Sequence, residues 1–318
     1  MSEKYYDVII IGGGPAGLSC ALYTCRSRLK TLLIEKGMAG GQLLLTERVD
    51  NYPGFPGGTS AAELSERMKE HALEWGLEYI QGEITSLCMD GNKRIVSCPL
   101  AGRVPTGEED MYVAKAVIIA TGAVPRMLNA PGEKELAGRG ISYCGLCDGP
   151  LYRDKVIAVI GGGDSAVEES VYLTRFAKHL YLIHRRDAFR AEKVLQEELF
   201  ANKKIEVILN TVVNSINGKE VISSLNIKNV QTGEEKVLPV QGIFIYIGMI
   251  PATGFLKDLV KLDENGYIFT DENMETSCKG IFAIGDVRNK TVRQVTTAAS
   301  DGTIAAVMVE KYLKSVGG

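Results

Sequence analysis

A glycine-rich turn set between an apolar strand and a helix occurs twice in this chain, each time at the same distance from the end of the next strand. In the first copy, Asp7-Val8-Ile9-Ile10-Ile11 is an apolar, β-branched run of the kind that forms a strand buried on both faces. It enters Gly12-Gly13-Gly14-Pro15-Ala16-Gly17, a helical pattern follows through Leu18, Ala21, Leu22 and Cys25, and a second strand, Thr31-Leu32-Leu33-Ile34, ends at Glu35. Gly12 permits the tight turn, Gly14 lets backbone approach a pyrophosphate, and Gly17 lets helix and strand pack closely. The helix start offers unpaired amides and a partial positive charge to phosphate. Glu35 lies 23 residues past Gly12, where a carboxylate accepts hydrogen bonds from ribose hydroxyls.

In the second copy, Val156-Ile157-Ala158-Val159-Ile160 leads into Gly161-Gly162-Gly163-Asp164-Ser165-Ala166, with alanine in the third small position. The residue 23 past Gly161 is His184, followed by Arg185 and Arg186, with Arg190 one helical turn further on. An acid there would repel a 2′-phosphate, whereas forked guanidinium groups bind one. The second unit is therefore expected to prefer NADPH to NADH. A lone glycine turn is weak evidence, but two in strand-to-helix context with the same offset are specific.

Two further buried-strand runs, at residues 116–122 and 242–248, end on Gly122 and Gly248, and each meets a proline three residues later, at Pro125 and Pro251. These read as two crossovers between domains. The expected fold class is α/β, with two Rossmann-like nucleotide-binding domains, one inserted in the other. The first comprises residues 1–117 and 246–318; the second is the insertion, residues 118–245. Gly280-Ile281-Phe282-Ala283-Ile284-Gly285-Asp286 is another strand-to-turn, followed by Arg293-Gln294 and a small-residue helix over 296–309. Asp286 suits the ribityl chain of a flavin, or it caps a helix; the nested arrangement favours the flavin.

The 318 residues allow two domains of ordinary size, and a net charge of −3 points to neither nucleic acid nor an anionic membrane. The start, Met1-Ser2-Glu3-Lys4-Tyr5-Tyr6, lacks the features of a secretory leader, and no apolar run reaches the length of a bilayer span. A cytoplasmic location is expected, where thiols stay reduced. Seven scattered cysteines are no disulfide framework. Cys20, Cys25, Cys88, Cys98 and Cys278 read as inert thiols, and the three histidines sit at no ligand spacing, so no metal is expected.

Cys144 and Cys147 alone form a motif, Cys144-Gly145-Leu146-Cys147-Asp148. A C-x-x-C spacing closes a small disulfide ring and, at a helix start, lowers a thiol pKa. Asp148 is a candidate acid for protonating a departing thiolate, a role compatible with helix capping. The pair lies 14 residues before Gly161, so dithiol and nicotinamide belong to one unit and the flavin to the other.

With these motifs together, the chain resembles the low-molecular-weight bacterial thioredoxin reductases over essentially its whole length. The matching residues are 12–17, Gly40-Gly41-Gln42, Asn51-Tyr52-Pro53-Gly54, Ala120-Thr121-Gly122, 144–148, 161–166, 184–190, Gly285-Asp286 and Arg293-Gln294. The resemblance implies FAD on Gly12, Gly14, Pro15, Ala16, Gly17, Glu35, Gly41, Gln42, Asn51, Thr121, Gly122, Asp286, Arg293, Gln294 and Val295. It implies NADPH on Gly163, Asp164, Ser165 and Ala166, with its 2′-phosphate on His184, Arg185, Arg186 and Arg190. It also implies that Cys147 faces the flavin as the charge-transfer thiolate, that Cys144 attacks the partner disulfide and that Asp148 is the acid. Thioredoxin or a thioredoxin-like protein would be the partner. The enzyme would be a homodimer whose NADPH domain swings between two orientations.

The chain departs from the family pattern near the dithiol. Gly145-Leu146 stands where Ala-Thr is usual, Pro150-Leu151 where an aromatic pair is common, and Pro251-Ala252-Thr253 where Pro-Asn-Thr is usual. These changes bear on the partner and the redox potential more than on the reaction type. The alternatives are a reductase of another small disulfide carrier, a relative fed by ferredoxin or NADH, an oxidase that makes disulfides, and a non-enzymatic redox sensor.

Overall fold

The computed structural model describes residues 4–46, 48–91, 93–99, 110–256 and 258–316. Met1, Ser2 and Glu3, read above for a leader, lie outside the described residues. The chain divides into two compact units, Met1–Val124 with Ile250–Gly318, and Pro125–Met249. Both breaks fall later in the chain than 117/118 and 245/246. The strand Asp110–Ile119 pairs along its length within the first unit, which carries the first break beyond it.

In the first unit, five parallel strands lie in the order Glu78–Gln81, Thr31–Glu35, Lys4–Ile11, Asp110–Ile119, Ile281–Ala283. The early half of Asp110–Ile119 also pairs antiparallel with Lys93–Cys98, which pairs with Ser86–Asp90. The apolar runs are continuous because both faces are covered. Alternate residues separate cleanly between the faces. Val8, Ile10, Leu33, Ala116 and Ile118 pack with Leu18 and Ala21 of the helix Pro15–Arg26 and with Ala305 and Val309 of the helix Val295–Val316. Ile9, Ile11, Leu32, Ile34, Val117 and Ile119 pack on the other side with Val96, Tyr112 and Leu256.

The inserted unit repeats this plan. Its parallel sheet runs Ile141–Ser142, Ile243–Tyr246, Val156–Gly161, His179–Ile183, Ile205–Ile208. Ile157, Val159, Leu180, Leu182 and Phe244 face the helices Asp164–Leu173 and Lys193–Ala201, whereas Ala158, Ile160, Ile183, Ile243 and Ile245 face a three-stranded antiparallel sheet. That sheet, Thr211–Gly218, Ile222–Asn229 and Glu235–Pro239, is separate from the parallel one, whereas the antiparallel strands of the first unit pair into theirs. Each glycine turn thus leaves the carboxyl end of a central strand and opens a helix, where such folds bind ligands. No described helix is long and apolar enough to cross a membrane.

Candidate functional site

The first turn is built for close approach. Gly12 has φ +111°, and a Cβ there would overlap the Ala120 carbonyl, so only glycine fits. Gly14 differs: it is the N-cap of the helix Pro15–Arg26 at φ −74°, and a Cβ would meet nothing within 4 Å. Pro15, which has no N–H to leave unpaired, starts the helix. Gly17 abuts the Gly12 carbonyl, and Ala16 is buried behind it. Glu35 holds the turn from the next strand, accepting Gly13 N–H at 2.5 Å through Oε2 and Gly37 N–H at 2.8 Å through Oε1. The sequence assigned this carboxylate to ribose hydroxyls. It also fastens the turn, and each oxygen keeps a second lone pair for a hydroxyl.

Other first-unit residues of the predicted set fall into linked groups. Asn51 Nδ2 donates to Gln294 Oε1 at 3.1 Å, joining two stretches 243 positions apart. Gly41, at φ +55°, lies against Gly14 Cα, and Gln42 beside it is exposed. Thr121 Oγ1 donates to the Ala252 carbonyl at 2.8 Å, and Gly122 O accepts Ala252 N–H at 3.1 Å.

Asp286 follows the strand Ile281–Ala283, with Lys290 Nζ 3.4 Å from its Oδ1. That oxygen is buried and accepts no hydrogen bond among the described residues; neither does Arg293 Nε donate one. Burial pushes the Asp286 carboxyl up, against the pull of Lys290 and Arg293. A buried acceptor and a buried donor left open fit a ligand bearing hydroxyl and polar ring groups, as FAD does. Val295 begins the helix Val295–Val316 beside them. Asp301, which the sequence reading missed, accepts Gly285 N–H at 3.0 Å and pairs with Arg288 at 2.9 Å and Lys290 at 3.1 Å. It braces the turn that carries Asp286.

At the second turn Gly163 is the N-cap of Asp164–Leu173, with open space where its Cβ would be. Asp164 and Ser165 are exposed, and Ala166 is buried. Asp164 Oδ1 accepts Glu192 N–H at 2.9 Å, and Arg190 N–H reaches the Gly162 carbonyl at 2.8 Å, which draws the arginine segment to the turn. Arg185, Arg186 and Arg190 are exposed cations beside a helix start.

His184 departs from the expectation of a basic triplet. It is 5% exposed, packs against Phe189, and its ring fills the space where a Gly162 Cβ would stand. Burial lowers its pKa, partly opposed by backbone hydrogen bonds, and Arg186 and Arg190 push the same way as burial. It is a neutral wall under the turn. The exposed positive charge beside the turn is carried by the three arginines.

Cys144 and Cys147 form a disulfide with Cα atoms 5.3 Å apart. The short helical turn Gly145–Asp148 places them, with Cys144 as N-cap and its Sγ accepting Cys147 N–H at 3.2 Å. Both sulfur-bearing residues are partly exposed. Ser142, another residue the sequence reading missed, is 3% exposed at the end of the strand Ile141–Ser142. Its Oγ lies 2.7 Å from Asp148 Oδ2 and accepts Cys144 N–H at 3.1 Å. Ser142 therefore ties the acid to the backbone of the first cysteine. The only hint in sequence was a hydroxyl two residues before the motif. Among the described residues no group of three or more His, Cys, Asp or Glu is placed to hold a metal ion.

The chain is similar to known proteins over nearly its whole length. The pyridine nucleotide-disulphide oxidoreductase family matches residues 6–302. A thioredoxin reductase of Bacillus subtilis (strain 168) is 47% identical over 317 residues, covering 99% of this chain and 96% of its own. One from Peptoclostridium acidaminophilum is 43% identical over 319 residues, with 98% of each chain covered. Among solved structures, the thioredoxin reductase from Streptococcus pyogenes MGAS5005 superposes with a TM-score of 0.91 at 46% identity, over 99% of this chain and 100% of its own.

Proposed function

The chain belongs to the pyridine nucleotide-disulphide oxidoreductase family, and from that premise we propose that it is a thioredoxin reductase, moving electrons from NADPH through FAD to Cys144–Cys147 and on to the disulfide of thioredoxin or a thioredoxin-like protein. The observation that carries this reading is the Cys144–Cys147 disulfide, braced by Ser142 and Asp148 in the same unit as the arginine-flanked second glycine turn. FAD, when bound, supplies the two-electron relay between nicotinamide and disulfide.

The unit Met1–Val124 with Ile250–Gly318 is the FAD domain, and Pro125–Met249 is the NADPH domain. Gly14, Ala16 and Gly17 would present amides at the helix start to the FAD pyrophosphate, with Gly12 and Pro15 shaping the turn, and Glu35 would take a ribose. Gly41, Gln42, Asn51, Thr121, Gly122, Asp286, Arg293, Gln294 and Val295 would hold the rest, with the buried Asp286 carboxyl suited to a ribityl hydroxyl. Gly163, Asp164, Ser165 and Ala166 hold the NADPH pyrophosphate, and Arg185, Arg186 and Arg190 hold its 2′-phosphate.

Two electrons entering the pair break the sulfur–sulfur bond, and two protons complete a dithiol. Cys144, as thiolate, is stabilised by the Cys147 N–H that its Sγ accepts. It attacks the partner's disulfide: a bond forms between Cys144 and one partner sulfur, and the partner's own bond breaks. Asp148, held by Ser142, gives the departing thiolate its proton. Cys147 then attacks Cys144, releases the partner as a dithiol and restores the disulfide. Leu146 and Leu151, both exposed, flank the pair and suit an apolar partner surface. The enzyme works in the cytoplasm as a homodimer.

The test is NADPH oxidation by the FAD-loaded protein with oxidised thioredoxin. The wild type should turn over, and Cys144→Ser should not, while its flavin is still reduced by NADPH. Thioredoxin-dependent turnover by Cys144→Ser would overturn the assignment.

A further inference from the structure

Behind the dithiol turn lies a carboxyl that the reaction just described does not use. Glu169, on the helix Asp164–Leu173, sends its Oε2 into the interior, where it accepts no hydrogen bond among the described residues. A Cβ placed on Gly145 would overlap that oxygen, lie 3.3 Å from Glu169 Cδ and come within 2.9 Å of Tyr246 Oη. The carboxyl and the phenol therefore occupy the room that a side chain at position 145 would need.

Tyr246 ends the strand Ile243–Tyr246, and its hydroxyl accepts the Gly145 N–H, the first amide after Cys144. Having accepted, the hydroxyl keeps one hydrogen to donate, and the Glu169 carboxyl crowds the same Gly145 position as that hydroxyl. Burial favours the neutral carboxyl; Tyr246 partly opposes this, and Glu168 adds to it. Helix, strand end and redox turn are thus joined through Glu169, Tyr246 and the Gly145 amide.

We infer that Glu169 is a positioning residue for the Cys144/Cys147 dithiol, acting through the Tyr246 hydroxyl on the Gly145 amide to hold the turn in which Cys144 Sγ accepts the Cys147 N–H. The inference rests on the disulfide-reductase reading. Reduction breaks the Cys144–Cys147 bond, takes up two electrons from the nicotinamide donor, and adds two protons. The Cys147 N–H stabilises the Cys144 thiolate only while the turn keeps its shape. Loosening the turn therefore raises the free energy of the reduced pair and makes the couple harder to reduce.

The experiment is a titration of the full-length, FAD-loaded protein in dithiothreitol redox buffers at pH 7. The alkylated fraction of Cys144 and Cys147 is read by mass spectrometry, and a companion series measures the pH profile of Cys144 alkylation. Glu169→Ala and Tyr246→Phe should each shift the thiol–disulfide equilibrium about tenfold toward disulfide, about 30 mV more negative for a two-electron couple. Both should move Cys144 alkylation to higher pH. Glu169→Gln keeps an oxygen for Tyr246 and nearly the same shape, so it should stay within about twofold of wild type. A Glu169→Ala or Tyr246→Phe protein with wild-type potential would overturn the inference, as would a Glu169→Gln shift equal to that of Glu169→Ala. If the wild-type pair itself does not titrate, the reductase reading falls with it; if only the variants match wild type, the inference alone falls.

Discussion

Gly12 and Gly14 lie two positions apart in one turn, yet the same added methyl should damage different things at each. At Gly12 an alanine must adopt φ +111° and push its Cβ into the Ala120 carbonyl, which belongs to the core of the sheet. Unfavourable backbone geometry costs about 1–3 kcal/mol, and overpacking against atoms that cannot retreat costs about 1–3 kcal/mol more. The expected loss for Gly12→Ala is therefore about 4 kcal/mol in folding stability. At roughly 2–4 °C per kcal/mol for a domain of this size, melting falls by about 8–16 °C. At Gly14 the backbone is already at φ −74° and nothing lies within 4 Å of the new methyl. Reduced freedom of the unfolded chain gives back about 0.4–1 kcal/mol, and alanine is a poorer N-cap by a similar amount. The stability of the FAD-free protein should stay within about 0.5 kcal/mol of wild type. FAD affinity should nonetheless fall by roughly tenfold or more, because the methyl stands where backbone must approach the pyrophosphate. Thermal melts of FAD-free protein and flavin fluorescence titrations separate the two effects. A Gly14→Ala protein that binds FAD like wild type, or a Gly12→Ala protein that melts like it, would refute the reasoning.

Removing the second-unit arginines should separate the two nicotinamide donors. Arg185→Ala, Arg186→Ala or Arg190→Ala each deletes a charge-assisted contact of about 1.5–3 kcal/mol, so KM for NADPH rises roughly tenfold or more while KM for NADH stays put. Steady-state kinetics with both donors checks this, and an equal rise for NADH would contradict it. His184 sets an acid limit on stability. Its folded pKa lies below the ordinary histidine value of 6.5, so below about pH 6.5 the unfolded chain binds a proton that the folded chain does not. Its contribution is full above that pH and is lost as pH falls toward the folded pKa, at no more than about 1.4 kcal/mol per pH unit. Denaturant melts of His184→Gln between pH 5 and 7.5 should show a shallower acid slope than wild type; an unchanged slope would place the sensitivity elsewhere.

Whatever depends on near neighbours along the chain is legible in the amino-acid sequence alone. The two strand–turn–helix units, their 23-residue offsets to Glu35 and His184, and the C-x-x-C pair are all local patterns of period and punctuation. What escaped depends on side chains meeting from separate elements. His184 reads as part of a basic run, but its ring turns inward under Gly162 while its neighbours stay in water. Ser142, Tyr246 and Glu169 come from two strand ends and a helix, and only the fold brings them to the dithiol turn. Asp301 lies on the last helix, and nothing in its own segment pointed to the Gly285 amide. The antiparallel sheet within 211–239 carries no clean alternation, because register shifts after Val213 and Asn217 break the period of two and Val237 stands exposed.

An anaerobic titration of the FAD-loaded protein with NADPH, and separately with NADH, followed in the flavin absorption band, tests the central claim most directly. NADPH should bleach the flavin at low concentration and NADH far less well. Uptake should reach about two equivalents in wild type, one for the flavin and one for Cys144–Cys147, and about one equivalent in a Cys144→Ser, Cys147→Ser protein. A flavin that dithionite reduces but neither nucleotide does would contradict the donor assignment. Equal uptake by the wild type and the double variant would remove the cysteine pair from the electron path.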